Sequence, residues 1–214
     1  MAWGNGKLIL YAGRRGTGKT TVALRRMDEY KQGIICVPGL TNPSLLKYPH
    51  ITDGSMEFND LQTQLEIYPK IRVDLVDDNP TLFSTLSKLH GTQEKNLPIM
   101  IDDLPIIISN PELKKDFVTN LLVKLRWQNL EVICTFHRLN DQDCPRKALV
   151  TADEIYWVGS LKDKRESASL HEISGSDLTQ DQFDEKLASL KNFDYKHPNY
   201  KEAVFNIMNY SDEK

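Results

Sequence analysis

Short apolar runs alternate with amphipathic stretches along most of this chain. Residues 7–12, Lys-Leu-Ile-Leu-Tyr-Ala, predict a buried strand, and residues 21–30 a helix with Val22, Leu24 and Met27 on its buried side. Residues 33–38 predict a second strand, stopped by Pro38 and Gly39. Residues 39–70 are rich in Pro, Asn, Gly and Tyr and predict an irregular crossover with one short helix over 60–67. Alternation over 71–76 predicts a strand, and Pro80 opens a helix on which Leu82, Phe83, Leu86 and Leu89 keep helical spacing up to Gly91. A strand over 97–101 follows, then an amphipathic helix over 111–127 with Leu113, Phe117, Leu121, Leu122 and Leu125 inward. Residues 130–136 and 154–158 predict two more core strands, the last stopped by Gly159. Residues 178–190 predict a helix with Phe183, Leu187 and Leu190 buried. Residues 200–207 fit strand or helix, and the alternation of Ala203, Phe205 and Ile207 favours strand. Strands alternating with helices imply an α/β fold, a mainly parallel central sheet flanked by helices. One domain over residues 1–214 is expected, with residues 165–214 as a helical or extended appendage.

Composition narrows this picture without changing it. The 214 residues suffice for one α/β domain with a full core. Hydrophobic content of 40% and charged content of 27% are those of a soluble globular protein. A formal net charge of -3 means that any nucleic-acid contact must use a local basic face. The cysteines, Cys36, Cys134 and Cys144, lack C-x-x-C spacing and read as buried thiols of a reducing compartment. No run approaches the ~20 apolar residues that span a bilayer, and residues 1–6 carry no apolar signal core. A cytoplasmic protein with no stable membrane insertion is expected.

The chemistry begins where the first strand ends. Gly13-Arg14-Arg15-Gly16-Thr17-Gly18-Lys19-Thr20 matches G-x-x-x-x-G-K-[ST] at every fixed position, between a predicted strand and a predicted helix. In that setting the glycines let backbone N–H groups approach phosphates, and the helix N-terminus adds partial positive charge. Lys19 is expected on the β- and γ-phosphates of ATP and the Thr20 hydroxyl on Mg²⁺, with Thr21 closing the binding set.

A phosphate loop of this kind needs a carboxylate from another strand. Residues 99–101 deliver Asp102 and Asp103 at a strand's C-terminal end, where α/β sheets place ligands. Asp102 is expected to hold Mg²⁺ through water, and Asp103 to orient and deprotonate the attacking water. Thr135 and His137 end the next strand and lie beside this pair if the two strands are neighbours. His137 reads equally as a sensor of the γ-phosphate and as an ordinary polar strand terminus. Arg126, near the end of the preceding helix, is a candidate arginine finger acting across a subunit interface, or a charge favoured by the helix dipole. Arg138 and Arg146 are weaker candidates for the same part.

The order of these parts resembles the FtsK/HerA-like P-loop ATPases, and more narrowly the small genome-packaging ATPases of viruses with internal membranes or double-jelly-roll capsids. The passage over 144–156, Cys-Pro-Arg-Lys-Ala-Leu-Val-Thr-Ala-Asp-Glu-Ile-Tyr, is similar to theirs, and the resemblance covers residues 7–165. His137 stands where that family usually shows glutamine, and Asp103 where glutamate is commoner. The resemblance implies a RecA-like core and a homo-oligomeric ring that threads double-stranded DNA into a preformed capsid with ATP, with capsid or portal-vertex proteins as partners. Other readings are a filamentous-phage-type assembly ATPase, a nucleoside or nucleotide kinase with residues 162–165 as its lid, and a non-hydrolysing nucleotide binder.

Overall fold

The first apolar run forms β1 (Lys7–Ala12), whose residues from Leu8 onward are all buried. Alternation splits them between two cores: Leu8, Leu10 and Ala12 enter one, Ile9 and Tyr11 the other. Such a strand is apolar on both faces because the sheet is covered on both sides. The structure is a computed structural model that describes residues 4–39, 45–52, 58–74, 82–91, 96–140, 143–193 and 199–208.

Along the chain, α1 (Lys19–Asp28), β2 (Gly33–Val37), β3 (His50–Thr52), α2 (Phe58–Ile67) and β4 (Lys70–Asp74) follow β1. Next come α3 (Leu82–Leu86), β5 (Leu97–Ile101), α4 (Leu104–Ile107) and a long helix of α5 (Pro111–Asp116), a π-helical turn (Phe117–Leu121) and α6 (Leu122–Lys124). The remainder is β6 (Leu130–Phe136), α7 (Arg146–Thr151), β7 (Glu154–Val158), α8 (Lys164–Ser174), α9 (Gln180–Ser189), α10 (Tyr200–Ala203) and β8 (Val204–Asn206). Among the described residues eight strands form one sheet in the order β3-β4-β2-β5-β6-β1-β7-β8. Every pairing is parallel except that of β7 with β8.

The topology makes β6 the centre of the functional edge. It lies between β1 and β5, with Leu8 beside Val132 and Ile99 beside Val132 on the other side. The loop after β1 and the acidic residues after β5 therefore open at the same edge, separated by the end of β6. Helix α1 packs on one face through Val22, Ala23, Leu24 and Met27, with Ile9, Ile35, Met100 and Ile133 beneath it. The opposite face carries the larger core, to which α3, the long helix and α9 contribute Phe83, Phe117 and Phe183.

Several expectations shift in detail. The crossover over 39–70 contains β3 as well as the helix. The long helix keeps its apolar stripe but widens to a π turn at Phe117, whose ring meets Phe83 edge-on with centroids 5.2 Å apart. Residues 200–207 are helix and then strand, a short turn of α10 leading into β8. Helix α8 was not anticipated, although Asp163 and Glu166 carry an N-cap spacing and Asp163 accepts from the amides of Arg165 and Glu166. The C-terminal elements share the main core, with Leu170, Phe183, Leu187 and Phe205 buried in it. The expected helix start at Pro80, and residues 75 and 76 of the expected strand, lie outside the described residues. Among the described residues no helix is long and apolar enough to cross a membrane.

Candidate active site

The loop from Gly13 to Gly18 leaves β1 and feeds α1 directly. Gly18 has φ +94°, and a Cβ there would stand 2.2 Å from the Phe193 carbonyl oxygen, so both backbone and space demand glycine. Gly16 has φ +78° with open space around it, which makes the turn itself its constraint. The Gly13 amide donates to the Phe136 carbonyl at 3.2 Å, tying the loop to the end of β6. Inside the loop the Thr17 hydroxyl donates to the Arg14 carbonyl at 2.8 Å. Helix α1 starts without a side-chain cap or an acidic first turn. Its first N–H groups and the positive end of its dipole are thus presented at the loop, the physical basis of phosphate binding there. Thr21 is half-buried on the first turn, and Arg15 is exposed at the loop's tip.

Lys19 is buried, with its ammonium donating to the Arg14 carbonyl at 3.0 Å and lying 3.3 Å from His137 Nδ1. Burial lowers its pKa, and the charges of Asp103 and Asp102 oppose that shift. The Thr20 hydroxyl faces Asp102, 2.9 Å from Oδ1 and 3.2 Å from Oδ2. Thr135, fully buried on β6, donates to Asp102 Oδ1 at 2.8 Å and accepts from the Asp103 amide at 2.8 Å. Burial pushes the Asp102 carboxyl up to about 6, the neighbouring Asp103 charge adds to this, and the Thr135 and Thr20 hydrogen bonds oppose it.

Asp103 occupies the left-handed region, φ 45° and ψ 48°, where the chain turns from β5 into α4. Its Oδ1 lies 3.4 Å from His137 Nε2. With the proton on Nε2, the His137 ring accepts from Lys19 and points its N–H at Asp103, so the lysine, imidazole and second carboxylate form a row. The condition under which Thr135 and His137 lie beside the acidic pair holds, because β5 and β6 are direct neighbours.

The candidate arginines lie apart from this cluster. Arg126 is at the opposite, N-terminal edge of the sheet, away from the phosphate loop of its own chain. Its guanidinium bonds Asp153 Oδ1 at 2.9 Å and approaches the Gly6 and Thr151 carbonyls at 3.4 Å each. The long helix ends at Lys124 and the chain enters β6 at Leu130, which leaves Arg126 beside the starts of β1 and β7. Arg146 is exposed at the start of α7. Two other arginines border the site: Arg14 pairs with Glu166 at 3.2 Å and with Asp163 at 3.6 Å, and Arg138 Nε lies 4.0 Å from Glu166. These acidic residues at the start of α8 were not anticipated as neighbours of the loop. Nor was Phe193, whose amide donates to the Thr17 carbonyl at 3.0 Å. The cap spacing announced the helix start, but nothing local announced what it would touch.

Thr20 and Asp102 offer a hydroxyl and a carboxylate, the hard oxygen donors that suit Mg²⁺. Among the described residues no group of three or more His, Cys, Asp and Glu side chains is placed to hold a metal.

No protein-family model matches the chain, and no curated protein sequence does. Solved structures do match in fold. The genome packaging NTPase B204 from Sulfolobus turreted icosahedral virus 2 in complex with AMP superposes with a TM-score of 0.60 at 16% identity, over 94% of this chain and 93% of that one. Its complex with ATP-gammaS gives 0.58 at 15% identity, over 94% and 96%. B204, the DNA-packaging ATPase from Sulfolobus Turreted Icosahedral Virus, gives 0.57 at 14% identity, over 87% and 88%. At these identities the likeness is one of fold, and it extends over nearly the whole of each chain. The chain has the RecA-like α/β fold of the P-loop NTPases and resembles viral genome-packaging NTPases in structure.

Proposed function

We propose that the chain folds as one ATP-hydrolysing domain that acts in a homo-oligomeric ring to move double-stranded DNA into a viral capsid. The observation that carries this reading is the convergence of Lys19, Thr20, Asp102, Asp103 and His137 at one sheet edge. The likeness in fold to packaging NTPases supports the choice of DNA as cargo, and capsid or portal-vertex proteins as partners in the host cytoplasm. Loop amides from residues 13–20 and the Lys19 ammonium hold the triphosphate by charge-assisted hydrogen bonds. Thr20 and Asp102 would hold Mg²⁺, which neutralises phosphate charge when bound. Asp103 takes the proton of the attacking water, and His137 holds that carboxylate in register with Lys19.

The test is the ATPase rate of the purified protein with and without double-stranded DNA. The expected result is Mg²⁺-dependent hydrolysis that rises when DNA is added. Hydrolysis indifferent to DNA would remove the motor reading and leave an ATPase. Phosphate transfer to a nucleoside or nucleotide would replace it with a kinase.

A further inference from the structure

We infer that Thr135 is a positioning residue that sets both acidic side chains of the site at once. Its hydroxyl selects the Asp102 oxygen left for a cation and holds the backbone turn that carries Asp103. The inference rests on the reading of Asp102 as the Mg²⁺ carboxylate.

The register explains why one side chain reaches both. Ile101 is paired with Cys134, so Thr135 is the next residue along β6, beside the point where the chain leaves β5. Alternation places Ile133 and Thr135 on the α1 face of the sheet, the side from which Thr20 reaches Asp102. The hydroxyl has one proton and two lone pairs. The proton goes to Asp102 Oδ1 at 2.8 Å, and a lone pair takes the Asp103 N–H at 2.8 Å.

Two consequences follow. Asp102 Oδ1 receives both shorter hydroxyl contacts, from Thr135 at 2.8 Å and Thr20 at 2.9 Å, whereas Oδ2 has only the longer Thr20 approach at 3.2 Å. Oδ2 therefore keeps the lone pairs that face a cation or its bound water. The second consequence concerns Asp103, whose left-handed backbone at φ 45° is disfavoured for a residue with a Cβ. A hydrogen bond at its amide holds that conformation and sends the carboxylate toward His137. Thr135 has no exposed surface and both its bonds are internal, so it does not read phosphate itself. His137, two residues on, is the one open to a ligand, with its side chain 41% exposed. Packing does not call for threonine at this position, because valine has the same shape and a higher affinity for strands.

The experiment titrates Mg²⁺ into the full-length protein with a fluorescent ATP analogue, comparing wild type, Thr135→Val and Thr135→Ser. The valine variant is expected to bind the metal-free analogue within about twofold of wild type, while half-saturating Mg²⁺ rises about 10–100-fold, the loss of one hydrogen bond to a charged group. Serine, which keeps the hydroxyl, is expected to recover half-saturating Mg²⁺ to within about threefold. A merely structural role would instead weaken metal-free and Mg²⁺-dependent binding together. Should the valine variant fail to fold, Thr135→Cys, a weak donor, must show the same Mg²⁺-selective loss. Unchanged Mg²⁺ dependence in Thr135→Val, or no recovery with serine, overturns the inference while leaving the ATPase reading intact. A wild type whose nucleotide binding ignores Mg²⁺ overturns the metal reading, and the inference with it.

Discussion

The two edges of the sheet carry similar residues and treat them differently. At the N-terminal edge each named charge meets an opposite charge within the chain. Arg26 pairs with Glu131 at 3.0 Å, Tyr30 also bonds Glu131, Arg126 pairs with Asp153 at 2.9 Å, and Lys7 with Glu154 at 3.6 Å. At the C-terminal edge two carboxylates stand side by side, one of them nearly buried, and the buried ammonium rests against a carbonyl and an imidazole. Burial lowers the Lys19 pKa and raises that of Asp102, so both groups are charged at a cost to the folded state. Matched charges hold the fold together. Mismatched charges, kept where a loop and a helix N-terminus also converge, are the mark of a site that expects a ligand.

The comparison breaks most visibly at Lys19. Lys19→Ala is expected to lower ATP turnover by about 10³-fold or more and to remove most nucleotide binding, because an electrostatic contact to the transferred phosphate is lost. The melting temperature should hold, since the apolar core is untouched. Unchanged turnover would show that the loop is not catalytic.

The adjacent carboxylates should then separate by role. Asp103→Asn is expected to cut turnover about 10²-fold or more with Mg²⁺-nucleotide binding nearly intact, since only the proton-accepting group is gone. Asp102→Asn should weaken Mg²⁺-dependent binding instead. It should also stabilise the ligand-free protein at high pH. The Asp102 carboxyl sits at about 6 in the folded chain, above an ordinary aspartate at about 3.9. Its contribution to folding is therefore full below pH ~4 and lost as pH rises through about 6. Relative to wild type, Asp102→Asn should gain up to about 3 kcal/mol between pH 4 and pH 8 in urea unfolding curves. An equal binding defect in both variants, or no pH-dependent gain, would refute the division.

At the other edge the effects should fall on stability alone. Glu131→Ala leaves Arg26 without its main partner, and removing one member of a buried pair typically costs about 3–5 kcal/mol. Arg26 keeps 27% of its side chain exposed, so about 2–3 kcal/mol is expected here. Turnover per folded molecule should not change, and a fall in turnover would erase the distinction between the edges.

The smallest effect is expected at Arg126. Its pair with Asp153 is half in solvent, with side chains 40% and 25% exposed, and such pairs contribute about 1 kcal/mol or less. Arg126→Ala should keep turnover within about twofold in a steady-state assay. A large loss, recovered by mixing with Lys19→Ala subunits, would show that Arg126 leaves Asp153 to act on a neighbour.

Much of this was legible in the residues themselves because the signals are local. The phosphate loop is a contiguous run whose glycines and lysine act within a single turn, flanked by a strand and a helix that its own pattern announces. Asp102 and Asp103 follow an apolar run directly, so their place at a strand end needed only the run. The β6 and β7 spans were equally plain, being continuous apolar stretches bounded by polar residues. Thr135 was visible only as a polar residue near a strand end, because a hydroxyl's partners depend on which strand lies beside it.

By itself the sequence determined the α/β class, the loop, the acidic pair and the strand that ends at His137. Each is written in the order and spacing of neighbours along the chain, where 3.6-residue and two-residue periods do the specifying. Only the tertiary structure decided that β6 lies between β1 and β5, that Thr135 serves both aspartates, and that Arg126 ends at the far edge while Glu166 meets Arg14. Those facts join residues as far apart as Arg14 and Glu166. Strand order and helix direction set such meetings, and no short window of sequence contains either.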